Sequence, residues 1–371
     1  MTAASTSARS GVFTVAVDDL SPVLVAQWLA MTESAPDGSS PFLHPSYAQL
    51  VGKVKPGVEV AVITRDGEPV GFLPFERSGV GIGRCVGGRL CDRSGAITPP
   101  DLSWDVLEVA RGARLRMLRL ANVSTEETAF RSYLSGKMAA PFLDLTDGYD
   151  AYRQASLHAG SGTMKRVDRR SRKLQEMLGP LRVVWHDTDD AVLPKLLEWK
   201  ARQRRASNSP NVFDLPWARE LLTLVRHPRP DGFGGVLTTL YAGETLCAAH
   251  FGIRSGHVLH YWVAAYDEEM SKHSPGLLLI MRMANEAAER GIARLDLGPG
   301  DEEYKRQIAS GHQEVAVATA CVGATMRSVV RATESMRLRA RQSRALRATR
   351  RTLIRSAYLV RSSLGRRLKE A

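Results

Sequence analysis

The sequence predicts a mixed α/β fold, with sheets flanked by helices and a long basic helical tail. Three observations carry that expectation. Residues 257–305 read as strand, helix and strand in succession, a βαβ unit. Val58–Thr64 and Pro69–Phe75 flank Asp66-Gly67, a hairpin signal, and Val236–Tyr241, Thr245–Ile253 and His257–Ala265 form a meander punctuated by Gly243 and Gly256. In residues 326–371, 13 arginines and one lysine against two glutamates account for the whole net charge of +12. The basicity therefore belongs to the tail, and the globular part is neutral.

At 371 residues the chain has room for two domains and an appendage. A hydrophobic share of 44% with 24% charged residues is that of a soluble globular protein. No apolar run approaches the roughly 18 residues that span a bilayer. The opening MTAASTSARSG has neither a clustered basic region nor an apolar stretch, so no signal peptide is expected. Four cysteines, Cys85, Cys91, Cys247 and Cys321, show no CxxC spacing, which argues against a disulfide scaffold and for a reducing compartment, by default the cytoplasm.

In chain order, residues 1–12 are small and polar and are expected to be disordered. Residues 13–150 form a first half. It has a strand over Phe13–Val17, a helix over Pro22–Met31, a loop over Thr32–Ser40 and a helix over Pro41–Val51 carrying Phe42, Tyr47 and Leu50. After the hairpin, the glycines at 79, 81, 83, 87 and 88 match no GxGxxG register and read as turns between short strands. Trp104–Arg114 reads as a helix, Leu115–Leu120 as a strand, and Phe142–Leu145 closes the half.

Residues 151–325 form the second half, and a basic helix opens it. Over Thr163–Leu178, Lys165, Arg166, Arg169, Arg170, Arg172 and Lys173 face only Asp168 and Glu176. This is either a solvated helix face or a cationic surface for an anionic substrate or carrier. A strand over Leu181–Trp185 and a helix over Ala191–Arg205, bearing Lys200 and Arg204, follow. A loop over Ala206–Leu215, a helix over Pro216–Val225 and the meander come next. Ser274-Pro275-Gly276 then reads as a helix start, Ser274 as N-cap and Pro275 at the first helical position, with Leu277 and Leu278 beginning the apolar stripe and Gly291 ending the helix. Its free N–H groups and aligned dipoles can hold an anion. Ile292–Leu297 is a short strand broken by Gly298-Pro299-Gly300, and Glu314–Cys321 is the last strand.

The run Tyr266-Asp267, His273-Ser274-Pro275-Gly276-Leu277-Leu278, Gly291, Asp296 and Gly300-Asp301-Glu302-Glu303-Tyr304-Lys305 resembles the C-terminal half of GNAT-fold acyltransferases of the CelD/BioF2-like group, relatives of the FemAB aminoacyl transferases. PFLHPSY, the hairpin ending in GFLPF, KRVDRRSRKLQ and LLEWKARQRR fit the same order, so the resemblance covers roughly residues 40–320. One departure is Leu297-Gly298-Pro299, where many relatives carry an aromatic-acidic pair. The resemblance implies tandem GNAT-like halves, the second binding acetyl-CoA or another acyl-CoA as co-substrate. His273, Ser274, Pro275, Gly276, Leu277 and Leu278 are then the cofactor-binding candidates, the pyrophosphate meeting the helix start.

The implied chemistry is acyl transfer, in which an amine or hydroxyl attacks the thioester, a base takes its proton and a donor stabilises the oxyanion. Candidate catalytic residues are Asp296, at a strand end between two leucines, Asp301 in the loop, His260 on the facing strand, and Tyr304 and Lys305 as donors. Four of them have a bland alternative: a salt bridge for Asp296, a core role for His260, a surface pair for Tyr304 and Lys305. Arg166, Arg169, Lys200 and Arg204 are the substrate-binding candidates. Cys247, among alanines in a strand, is a small core residue rather than a nucleophile. No HExxH motif or Cys/His cluster provides metal-ligand spacing, so no metal is expected.

Residues 326–371 hold no proline and one glycine and are expected to form a basic helical tail. It either packs on the body and ends in a basic arm, lies on anionic lipid, or binds a polyanion, nucleic acid being the least favoured. Two enzyme readings stand. One is an acyl-CoA-dependent N- or O-acyltransferase acting on a sugar, amino-sugar or cell-envelope polysaccharide intermediate, a small-molecule or lipid-linked acceptor. The other is a FemAB-like transferase using aminoacyl-tRNA. A third reading is a catalytically degenerate GNAT-fold scaffold held at the inner face of the membrane by its tail. The sequence leaves the oligomeric state open.

Overall fold

The computed structural model describes residues 10–34, 40–160, 162–324, 327–328 and 330; the expected tail lies outside them, apart from Arg327, Ser328 and Val330. The first half contains β1 (Ser10–Ala16), α1 (Pro22–Ser34), α2 (Pro45–Val54), β2 (Val58–Arg65), β3 (Glu68–Ser78), β4 (Ile82–Arg84), α3 (Val106–Gly112), β5 (Met117–Ser124) and β6 (Leu134–Asp144). The second contains α4 (Tyr149–His158), α5 (Gly162–Leu178), β7 (Leu181–Val184), α6 (Val192–Ala206), α7 (Pro216–Val225), β8 (Gly234–Ala242), β9 (Thr245–Ser255), β10 (Val258–Tyr266), α8 (Pro275–Glu289), β11 (Arg294–Asp296), α9 (Glu303–Ile308) and β12 (Gly311–Cys321).

The strands join in one mixed sheet in the order β1-β2-β3-β4-β5-β12-β6-β11-β10-β9-β8-β7. β1 to β4 form an antiparallel meander, and β5 adds to it in parallel after the crossover through α3. β7 to β10 repeat that meander, and β11 adds in parallel after α8. The sixth strand of each repeat is exchanged: β12 pairs with β5, and β6 pairs with β11. β6 and β12 also pair with each other, which fuses the repeats into one sheet. This is the tandem mixed α/β architecture expected from the sequence.

One apolar cluster runs along one sheet face through both repeats, from Trp28, Phe42 and Tyr47 to Trp199, Phe233 and Phe251. The opposite face carries two clusters. Ala110 of α3 packs with Leu73 and Phe75 in one, and Leu174 of α5 packs with Leu278 and Met281 of α8 in the other. Burial of such apolar area on both faces drives this layering.

Several local details differ from expectation. β1 begins at Ser10, not Phe13, because it pairs with β2 from Ser10↔Arg65 onward. The helix expected over Pro41–Val51 is a 3-10 turn over Pro41–Leu43 and then α2. His44 between them is extended, φ −74° and ψ 137°, since the residue before a proline is pushed out of the helical region. Its Nδ1 accepts from the Ser46 N–H at 3.1 Å, capping α2. β6 is far longer than Phe142–Leu145, and α4 and α9 carry little periodicity to announce them. No helix among the described residues is long and apolar enough to cross a membrane.

Candidate active site

β10 and β11 run in parallel register only from Val258↔Arg294 to His260↔Asp296. Beyond that point they part. β11 ends and the chain turns toward β6, where the Leu297 N–H donates to Pro141 O and the Gly300 N–H to Ala139 O, both at 3.0 Å. β10 continues to Tyr266 after a register shift between His260 and Val263. A β-bulge re-aims side chains in this way. The parted strands open a cleft of about 780 Å³. Tyr261, Trp262 and Tyr266 of β10 form one wall, and Leu297 to Pro299 with Glu302 to Lys305 form another. α5, α6 and the start of α8 complete it.

Of the sequence-level candidates, Arg166, Lys200, Arg204, Ser274, Gly276, Leu277, Tyr304 and Lys305 meet in this cleft. Arg169 does not. Met164, Val167, Ser171 and Leu174 form the buried stripe of α5, and Arg169 lies on the opposite, exposed face. Arg170 takes its place: its guanidinium donates to Ser274 Oγ at 2.6 Å. Burial, then Arg166 and Arg169 nearby, destabilises the Arg170 charge, so an anion bound there would relieve it. Pro275 and Leu278 are buried in the helix base, and His273 ends a 3-10 turn at the rim; none of the three lines the cleft.

Ser274 is the N-cap by position but not by side chain. It adopts the left-handed conformation, φ 50°, and its hydroxyl makes no capping bond. Its carbonyl accepts from the Leu277 and Leu278 N–H groups at 3.0 and 3.2 Å. The anion-facing donors at this helix start are therefore the Gly276 N–H and the flanking arginines rather than a run of free amides.

Lys200 reaches the cleft from α6 and donates to Ala264 O of β10 at 2.9 Å. Burial, aided by Arg204, lowers its ammonium from the ordinary 10.5 to about 8, against a raising contribution from Glu302. Lys305 is almost wholly buried and holds the loop: its Nζ donates to Gly298 O at 3.1 Å and Pro299 O at 3.3 Å and lies 3.1 Å from Glu302 Oε2. Tyr304 lines the cleft, and burial and then Glu302 raise its phenol above the usual range, so it stays a proton donor. Asp301 is exposed and outside the cleft; its carbonyl accepts from Arg306 at 2.5 Å.

His260 and Asp296 sit behind the cleft, around a small cavity of about 30 Å³. Asp296 is ion-paired with Arg294 at 2.6 Å, the salt bridge being the alternative weighed for it. His260 is 3% exposed, and its Nε2 donates to Asp92 Oδ2 at 2.9 Å. Asp92 lines both the cavity and the cleft, and no sequence signal marked it. Beneath Tyr261, the ring of His250 stacks at 4.3 Å; it is fully buried, and desolvation lowers it to about 3, so it is neutral. Among the described residues no group of three or more His, Cys, Asp or Glu side chains is arranged to hold a metal, and all four cysteines are free thiols.

Residues 161–306 match the profile of the Acetyltransferase (GNAT) domain, and the class this similarity supports is a transferase. The structure is similar to FemX, at 11% identity over 82% of this chain and 98% of that one, with a TM-score of 0.56. It is also similar to a conserved protein of unknown function from Bacteroides thetaiotaomicron VPI-5482, at 11% identity over 82% and 98% of the chains and a TM-score of 0.50. A tandem GNAT protein from the clavulanic acid biosynthesis pathway aligns at 14% identity over 85% and 99%, with a TM-score of 0.47. No curated protein matches the sequence.

Proposed function

We propose that this protein is an acyl-CoA-dependent N- or O-acyltransferase of the CelD/BioF2-like kind, with acetyl-CoA the first donor to consider. The acceptor is an amino or hydroxyl group of a sugar, amino-sugar or cell-envelope intermediate. The observation that carries this reading is the cleft between the parted β10 and β11, lined by Arg166, Arg170 and Arg204, with Arg170 bonded to Ser274 at the start of α8. These cations suit the phosphates of a coenzyme-A thioester. The acyl group would then lie between Tyr261 and the Leu297–Pro299 loop, where Tyr304 can donate to the carbonyl or the departing sulfur. Direct attack needs no acyl-enzyme, in keeping with the burial of all four cysteines.

Calorimetric titration of the full chain with acetyl-CoA and longer acyl-CoAs tests the donor. Saturable binding is expected, and Gly276→Trp should abolish it by filling the cleft where even a Cβ would come within 3.2 Å of Tyr266. Absence of binding to every acyl-CoA would sink the reading. The aminoacyl-tRNA donor would then come forward, a reading favoured by Lys165, Arg169, Arg172 and Lys173 on the exposed face of α5. The protein is further proposed to work in the cytoplasm, with residues 326–371 resting on anionic lipid at the inner face of the membrane. Those residues lie almost wholly outside the described structure, and their charge alone supports this.

A further inference from the structure

Asp92 belongs to the first repeat but reaches the cleft of the second. The loop that carries it is fixed at several points. The Trp262 Nε1–H of β10 donates to Leu90 O at 2.8 Å, the Cys91 thiol donates to Arg93 O at 2.9 Å, and the Asn122 side-chain amide donates to Cys91 O at 3.0 Å. With the His260 bond this pins the carboxylate against β10 at the point where the strands part. Oδ2 is engaged by His260, whereas Oδ1 has no hydrogen-bond partner among the described residues. The other charged groups around the small cavity are engaged: Arg294 with Asp296 at 2.6 Å and with Gln313 at 2.6 Å, and Arg93 with Gln313 at 3.1 Å. A volume of about 30 Å³ has room for a water-sized group, such as the amino or hydroxyl end of an acceptor.

We propose that Asp92 is the general base of acyl transfer and that the small cavity seats the attacking primary amine or hydroxyl, a proposal that rests on the acyl-CoA reading above. The nucleophile's nitrogen or oxygen bonds to the thioester carbonyl carbon and gives its proton to Asp92 Oδ1. The carbon–sulfur bond breaks, and the thiolate carries away the electron pair and is protonated from solvent, as Asp92 returns its proton to solvent. His260 is a positioning residue that holds Oδ2 so that Oδ1 faces the nucleophile. The first repeat thereby supplies the base, and the second supplies the donor site.

The test uses the full chain, acetyl-CoA, and two nucleophiles small enough for the cavity, water and hydroxylamine, with thiol release as the readout. Asp92→Asn should lower kcat with both about a hundredfold, the usual scale for a lost general base, with acetyl-CoA affinity unchanged within about twofold. His260→Gln, whose amide can still donate, should keep far more of kcat than His260→Leu, at unchanged KM for acetyl-CoA. If Asp92→Asn loses its thermal transition, the two His260 variants decide the matter. Undiminished turnover in Asp92→Asn, equal losses in the two His260 variants, or a wild type that binds acetyl-CoA but accelerates attack by neither nucleophile would each overturn the proposal. A wild type that binds no acetyl-CoA would overturn the donor reading, and this base with it.

Discussion

Lys200 is the residue whose charge is most finely placed. With its ammonium lowered to about 8, it is a cation at neutral pH and largely neutral at pH 9. On the proposed acyl-CoA reading, Lys200 attracts the donor's phosphates only in its protonated form, so acetyl-CoA affinity should fall as pH rises through about 8. One partly screened charge pair corresponds to a loss of roughly threefold to tenfold. Lys200→Met should bind more weakly at pH 7 and lose that pH dependence, which titrations at pH 7 and 9 will check. The sequence placed Lys200 on the right helix but could not show its burial, because the walls that desolvate it come from β10 and the Glu302–Lys305 segment. The choice of Arg169 over Arg170 has a similar origin: both are basic, and only the phase of the buried stripe separates them. Asp92 was out of reach altogether, since its partner His260 lies 168 positions away in the chain.

At the scale of elements, the Gly298-Pro299 turn decides the shape of the site. Gly298 has φ 74°, and a Cβ there would stand 3.0 Å from Asp92 Oδ2 and 3.6 Å from the His260 ring. Gly298→Ala should cost about 1–2 kcal/mol of stability through the left-handed backbone alone. It should also displace Asp92, so turnover with hydroxylamine should fall by more than acetyl-CoA binding does; denaturant melts beside kinetics separate the two effects. The helix start at Ser274-Pro275-Gly276 was legible because proline at the first helical position and a glycine beside it are local signals. The strand β6 was not, since residues 135–139 are all exposed, Met138 included, and show no apolar alternation, and its pairing comes from β12 and β11 instead. Short α9 stayed hidden for the same reason: six residues are too few to show a period.

Across the whole molecule, the exchange of β6 and β12 ties the repeats together. Residues 151–321 expressed alone would lack β6 beside β11, and a chain ending at Ala309 would lack β12 between β5 and β6. Neither is expected to give a folded product. The full chain should melt in a single calorimetric transition rather than two, despite its internal repeat. Resolution into two transitions would mean that the exchanged strands couple the halves weakly. The internal repeat was implied by the family resemblance, but the exchange itself had no local signature. The same sheet also sets an order of assembly. β12 aligns Val315 with Ser124, roughly 190 residues earlier in the chain, and loop closure on that scale slows folding. On the ribosome, the first repeat emerges with an open slot beside β5 that waits for β12, the last strand among the described residues. For most of translation that exposed edge needs shielding from neighbouring nascent chains, so yield in the cell should depend on chaperone capacity more than the stability of the finished protein would indicate.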